Sequence, residues 1–270
     1  MIIGIIPSRY GSTRFPGKPL LDILGKTMLE WVIEHSLKAT SLDKLVVATD
    51  DERIAEVARR TGTEAVMTRT DHTSGTDRCW EAYSRLIENG SVPDDSTNYI
   101  INIQGDEPFL DFNQIEELTT ILDGTIEIAT QMTTAETAES LHDPKEAKII
   151  INANNEALYF SRLAVPYLAG IDPSEWHKHY HYHRQVGMYV YRADVLDKIT
   201  QLPPSGLEMA ESLEQLRWLE AGYTIKLVET NYHSYCVDEP GDVEKILQIS
   251  SVASRFNAKD EHAITQSVKH

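Results

Sequence analysis

Short apolar runs alternate with helix-period segments through the first half of the chain, and this alternation limits the fold more than any other feature. Ile2 to Ile6, Lys44 to Thr49, Glu64 to Thr68 and Tyr99 to Ile103 read as strands. Between them, Leu29, Val32, Ile33, Ser36 and Leu37 recur at helical spacing. Asp50-Asp51-Glu52 opens a second helix, with acidic residues at its positive end and Ile54, Val57 and Ala58 inward. Asp77 to Asn89 reads as a third, with Trp80, Tyr83 and Ile87 on one face. Such a repeat predicts an α/β fold: a Rossmann-like mixed, mostly parallel sheet with helices on both faces. Ligands of these sheets lie beyond the carboxyl ends of the strands, so the segments after Ile6, Thr49 and Ile103 should share one rim.

The second half is less regular. Ile126 to Met132, Lys148 to Ile151, Leu158 to Ser161, Val186 to Tyr191 and Ile225 to Val228 read as strands. Glu208 to Ala221 reads as one strong helix, with Met209, Leu213, Leu216 and Leu219-Glu220 along its buried side. Pro240 suits the first turn of a last helix. Pro166 to Tyr182 is a long connection rich in Tyr and His, of the kind found at functional sites or interfaces. The polar tail after Ser250 shows weak patterning and is expected to fray.

The first strand runs into a loop, residues 8–20 (SRYGSTRFPGKPL), that carries three cations, Arg9, Arg14 and Lys18, among glycines, hydroxyls and prolines. Glycines let backbone N–H groups turn toward an anion, and the cations can neutralise several phosphate oxygens together. The formal net charge is −17. A cationic loop in so acidic a chain points to a polyphosphate, whereas nucleic acid would be repelled. The loop is not a Walker A motif: Gly11 to Gly17 is one residue too long, and Pro19 stands where Ser or Thr would meet a metal. No G-x-G-x-x-G follows the first strand, which argues against a dinucleotide oxidoreductase. No apolar stretch approaches the ~18 residues of a membrane span, and the start of the chain has no export-signal pattern. Cys79 and Cys236 form neither a disulfide framework nor a metal motif, and Cys79 reads as a small core residue.

Two acidic knots follow strand ends: Asn102-Ile103-Gln104-Gly105-Asp106-Glu107-Pro108 and Val237-Asp238-Glu239-Pro240-Gly241-Asp242. Each Asp reads either as a turn or cap residue or as a hard oxygen ligand; two on one rim, facing a cationic loop, would bridge Mg²⁺ to phosphate. Thr73-Ser74-Gly75-Thr76-Asp77-Arg78 reads either as a helix cap or as a reader of a base or ribose. His177, His179, His181 and His183 alternate, so on a strand they would share one face. A zinc site, an exposed loop and a pH-responsive interface are the readings of that run.

The ordered motifs resemble the 3-deoxy-manno-octulosonate cytidylyltransferase (CMP-Kdo synthetase) family. They are residues 7–20, 47–51 (VATDD), 67–68 with 74–78 (SGTDR), 102–108 (NIQGDEP), 157–162 (ALYFSR), 213–217 (LEQLR) and 237–240 (VDEP). The resemblance implies transfer of CMP from CTP to Kdo or a close ulosonic acid with release of pyrophosphate, dependent on Mg²⁺, in a cytoplasmic homodimer serving lipopolysaccharide synthesis. It implies that Arg9, Ser12, Arg14 and Lys18 hold the nucleotide with Ser74, Gly75 and Asp106. It further implies that Asp106 and Asp238 ligate magnesium, and that Gln104, Arg162, Gln185, Tyr189, Glu214 and Gln215 surround the sugar acid. One domain is expected over 1–250, with a nucleotide part at about 1–125, a sugar-acid and dimerisation part at about 126–235, and a tail at 251–270. The family usually reads Arg-His-x-Gly-x-Tyr where this chain has Arg184-Gln185-Val186-Gly187-Met188-Tyr189. A neutral amide in place of histidine opens the alternative of a modified acceptor such as 8-amino-Kdo, or another acidic sugar or phosphonate. A nucleotide-binding protein without turnover is the alternative from another class, and the presence of Arg14, Lys18, Asp106 and Asp238 weighs against it.

Overall fold

The structure is a computed structural model that describes residues 1–11, 15–233, 235–237 and 239–249. The tail expected at 251–270 lies outside the described residues. In chain order the elements are β1 (Ile2–Ser8), β2 (Asp22–Ile23), β3 (Lys26–Thr27), α1 (Met28–Ser36), β4 (Lys44–Thr49), α2 (Glu52–Arg60), β5 (Glu64–Met67), α3 (Gly75–Glu88), β6 (Tyr99–Asn102) and α4 (Phe112–Thr119). They continue with β7 (Ile128–Thr134), α5 (Ala138–His142), β8 (Lys148–Ile151), β9 (Ala157–Ser161), α6 (Trp176–His179), β10 (His183–Arg192), α7 (Ala193–Thr200), α8 (Gly206–Glu211), α9 (Gln215–Glu220), β11 (Ile225–Glu229) and α10 (Pro240–Leu247).

A nine-stranded sheet runs β11-β7-β10-β6-β1-β4-β5, with β8 added to β10 and β9 to β8. β6, β1, β4 and β5 are mutually parallel. β10 enters between β6 and β7 antiparallel to both, while β7 and β11 are parallel. The mixed, mostly parallel sheet expected from the alternation is therefore present. Side chains alternate across it: Ile3, Ile5, Val46 and Ala48 pack with α3, α7 and α9 on one face. Ile6, Val47, Ile101 and Ile103 pack with α1, α2 and α4 on the other. Each such apolar side chain contributes ~1.5–3 kcal/mol on burial.

The helix expected over Glu208 to Ala221 is two helices. Ser205 starts α8 with a capping box, and Ser212 turns left-handed at φ 53° and ends it. Met209, placed on the buried stripe by its spacing, is 69% exposed. Periodicity assumes a continuous helix, and the break at Ser212 resets the phase. On α3 the fully buried face is Cys79, Ala82, Tyr83 and Leu86, with Trp80 and Ile87 at its margin. The helix starts two residues earlier than its periodicity suggests, at the Ser74 cap. Helices α4, α5 and α7 had no counterpart in the sequence reading; α5, at five residues, is too short to show a period. His177 and His179 sit on α6 and His183 on β10, so the histidines do not share a strand face. Among the described residues no cluster of His, Cys, Asp and Glu is arranged to hold a metal.

Candidate active site

The ends of β1 and β6 and the start of α3 enclose a cleft of about 230 Å³. The loop after β1 folds back on itself. Gly17 adopts φ 74°, and its N–H donates to the Tyr10 carbonyl at 3.0 Å. A glycine suits this left-handed position because a side chain there would be strained. The Arg53 guanidinium lies 3.5 Å over the Tyr10 ring and holds the loop from α2. This turn starts a 3₁₀ segment, Lys18–Leu20, and aims Lys18 into the cleft. Lys18 Nζ donates to Asp106 Oδ2 at 2.9 Å, with the two side chains 11% and 34% exposed. A lysine this buried keeps its charge only with a partner.

The chain passes close to itself on the other wall. A Cβ on Gly105 would lie 2.8 Å from the Pro7 carbonyl oxygen, so only glycine lets the loop after β6 approach the end of β1. Ser8 Oγ and Asn102 Oδ1, at the carboxyl ends of these two strands, are buried with no hydrogen-bond partner among the described residues. An unmatched buried polar atom costs roughly 1–3 kcal/mol, which a polar ligand would offset. Val237 N–H donates to the Asp106 carbonyl at 3.0 Å, which brings the second acidic knot to the first. Asp238 itself lies outside the described residues, as do Ser12 and Arg14.

Arg9, Ser74, Gly75 and Gln104 line the cleft together with Lys18 and Asp106. Ser74 caps α3, its hydroxyl accepting from the Asp77 N–H at 3.1 Å. Gln104 Nε2 donates to the Gly187 carbonyl at 3.1 Å, tying the loop after β6 to β10. Gln185, Tyr189, Glu214 and Gln215 do not line this cleft; Gln215 Nε2 donates to Gln185 Oε1 at 2.8 Å, and Gln185 Nε2 donates to the Tyr189 hydroxyl. Burial pushes the Tyr189 phenol well above its ordinary range, though the Gln185 contact opposes this. Glu214 is raised by burial, against hydrogen bonds from Thr76 and Ser74.

Arg162 also lies outside the cleft lining; its guanidinium donates to the carbonyls of Glu211 (2.6 Å), Pro144 (2.8 Å) and Ser212 (2.9 Å). It clamps the α8–α9 break. The Glu211 and Ser212 carbonyls need a donor where α8 stops, and the fork of the guanidinium reaches both as well as the Pro144 carbonyl.

Two pairs were not anticipated. Arg78, buried in α3, donates to Asp50 Oδ2 at 3.0 Å and Thr68 Oγ1 at 2.5 Å, linking the ends of β4 and β5 under the cleft. Asp50 looked like part of a helix start, but the cap is Asp51, whose carboxylate accepts from the Arg53 N–H at 2.9 Å. His72 also lines the cleft and is hydrogen-bonded to Glu81. Burial would raise the Glu81 carboxyl, but the Arg69 N–H, His72 and Arg85 outweigh it and hold it at about 2. Arg78 and Asp50 fall inside family motifs and His72 and Glu81 outside them, and no spacing rule marks either pair.

The chain is similar over most of its length to known proteins. The family model "Cytidylyltransferase" matches residues 3–227. The 3-deoxy-manno-octulosonate cytidylyltransferase of Cytophaga hutchinsonii is 46% identical over 251 residues, spanning 93% of this chain and 98% of that protein. That of Parabacteroides distasonis is 47% identical over 250 residues, 91% and 96% of the two chains. A solved structure of CMP:2-keto-3-deoxy-manno-octonic acid synthetase complexed with CTP aligns with TM-score 0.82 at 38% identity, covering 94% of this chain and 99% of that one. 4-Diphosphocytidyl-2C-methyl-D-erythritol synthase aligns with TM-score 0.57 at 14% identity, a likeness of fold alone.

Proposed function

Because the chain belongs to the cytidylyltransferase family, we propose that it transfers CMP from CTP to the anomeric hydroxyl of Kdo or a close 3-deoxy ulosonic acid and releases pyrophosphate. Relatives that carry the Kdo enzyme's name at 46% and 47% identity over nearly the whole chain support the acceptor. The observation that carries the reading is the Lys18–Asp106 pair, a cation from the end of β1 and a carboxylate from the end of β6 meeting in one cleft.

The anomeric hydroxyl attacks the α-phosphorus in line with the departing pyrophosphate, so the protein's work is positioning and charge balance. Lys18 and Arg9, with Arg14 and Ser12, hold the triphosphate, and Ser74 and Gly75 at the α3 start meet the nucleoside. Gln104, Arg162, Gln185, Tyr189, Glu214 and Gln215 seat the sugar acid.

Mg²⁺ belongs to the same reading. The Asp106 carboxylate faces the cleft, is one-third exposed and presents the hard oxygens this ion prefers; Asp238 is the proposed second ligand. Bound there, the ion would neutralise phosphate oxygens as charge moves to the leaving group.

A cytoplasmic homodimer in lipopolysaccharide synthesis completes the reading. Exposed Leu163 (71%) and Tyr167 (74%) on the connection after β9 support a partner face. No helix among the described residues is long and apolar enough to cross a membrane.

The test is pyrophosphate release from CTP with Kdo, with and without Mg²⁺. Release only with both is expected. Release with another acidic acceptor alone would replace the substrate, and none with any acceptor would end the enzyme reading. Gln185 gives a second acceptor reading. Its amide is held between Gln215 and Tyr189 and cannot charge as histidine can, so 8-amino-Kdo belongs in the same assay.

A further inference from the structure

Glu214 opens α9 at its N-cap position, yet its carboxylate makes no cap hydrogen bond there. It is directed to another helix. Thr76 Oγ1, in the first turn of α3, donates to Glu214 Oε2 at 2.8 Å, and the Ser74 hydroxyl also bonds the carboxylate. A carboxylate is favoured at the positive end of α3. The next residue, Gln215, is buried and points to the acceptor side, donating to Gln185, which in turn donates to Tyr189. Three residues further on, Trp218 packs edge-on against Tyr189 (5.2 Å, 86°) and Tyr191 (5.4 Å, 88°). The first turns of α9 are thus fixed to β10 by packing and to the α3 start by one hydrogen-bonded carboxylate.

We propose that Glu214 is a positioning residue which, through Thr76, couples the seating of the acceptor to the conformation of the α3 start, residues 74–76, at the nucleotide cleft. The inference rests on the cytidylyltransferase reading and adds to it. A sugar acid that moves Gln185 or Tyr189 moves α9 with them, and Glu214 carries that displacement to the start of α3. The converse also holds, since coupling between two binding sites is reciprocal. Burial raises the Glu214 carboxyl, consistent with a group enclosed between elements rather than solvated at a surface.

The experiment is steady-state kinetics with CTP and the acceptor that the wild type turns over, on Thr76→Val, Thr76→Ser, Glu214→Ala and the Thr76→Val/Glu214→Ala double variant. Val keeps the shape of Thr and loses the hydroxyl. The expected result is a rise in KM of roughly five- to tenfold for both CTP and the acceptor in Thr76→Val, the size of one lost hydrogen bond. Thr76→Ser restores the hydroxyl and should recover most of the loss. The double variant should be no worse than Glu214→Ala, because both changes remove the same link. If Thr76→Val is recovered unfolded, Thr76→Ala carries the same comparison.

A rise in the KM for CTP alone would overturn the coupling. So would additive losses in the double variant, no recovery by Ser, or a fall in Tm with both KM values unmoved. An inactive wild type would overturn the enzymatic reading and this inference together. An active wild type with an unmoved acceptor KM in Thr76→Val would overturn only the inference.

Discussion

The half of the molecule built on β1, β4, β5 and β6 lines the cleft, whereas the half built on β7 to β11 is tied to its rim through the Gln104–Gly187 and Thr76–Glu214 hydrogen bonds, and the two are placed by different means. In the first, parallel strands end together, and the loops that follow them meet because the sheet leaves them nowhere else. Lys18 and Asp106 are 88 positions apart in sequence and 2.9 Å apart in space for this reason. In the second, an antiparallel strand brings residues to the rim from its opposite end. β10 shifts register between Val186 and Tyr189, as a bulge does, and Gln185 sits just before that irregularity. The left-handed Ser212 ends α8, and α9 starts against the first turn of α3 instead of in phase with α8. Backbone topology places the first set of groups, whereas local irregularities place the second. The nucleotide half should therefore fail abruptly when a single group is changed, and the acceptor half should retune.

The largest effect is expected from Asp106→Asn. Turnover should fall roughly 10²–10³-fold, as when one electrostatic contact to a reacting group is lost, with the circular dichroism spectrum and Tm retained. Loss of folding would mean that the carboxylate is a structural partner of Lys18 only.

Next comes Gly105→Ala. A methyl 2.8 Å from the Pro7 carbonyl must push two strand ends apart. Stability should drop by ~1–3 kcal/mol, and kcat/KM should fall at least tenfold because both ends carry cleft residues. A denaturant midpoint equal to wild type would show that the loop has slack.

On the acceptor side, Gln185→His should keep activity and change the ratio of kcat/KM between Kdo and 8-amino-Kdo by roughly tenfold, through the altered donor and charge beside Tyr189. An unchanged ratio would remove Gln185 from acceptor selection.

The smallest effect is expected from Met209→Ser. This residue is exposed on α8, so its replacement should shift stability by no more than ~0.5 kcal/mol. A loss of several kcal/mol would restore the continuous helix that the spacing suggested.

The same contrast explains what was legible in the sequence. β4 and β8 match their sequence readings at both ends, and β1, β5 and β6 come within two residues, because apolar runs bounded by turn residues need only local information. The cationic loop and the Asp106 knot were visible as unusual chemistry at strand ends. Arg162 was legible as a motif residue, but its partners, carbonyls exposed by a helix break about 50 positions away, follow from the Ser212 conformation and from no periodicity. The same holds for Arg78 and Asp50: each looked like an ordinary helix-start residue, and only the packing of α3 under the rim joins them.

The most direct measurement of the central claim is a crystal structure with CTP and Mg²⁺ bound. The triphosphate should lie between Lys18 and Asp106, with the base toward Ser74 and Gly75 and the ion on the Asp106 carboxylate. A nucleotide seated elsewhere, or a metal held without Asp106, would contradict the account.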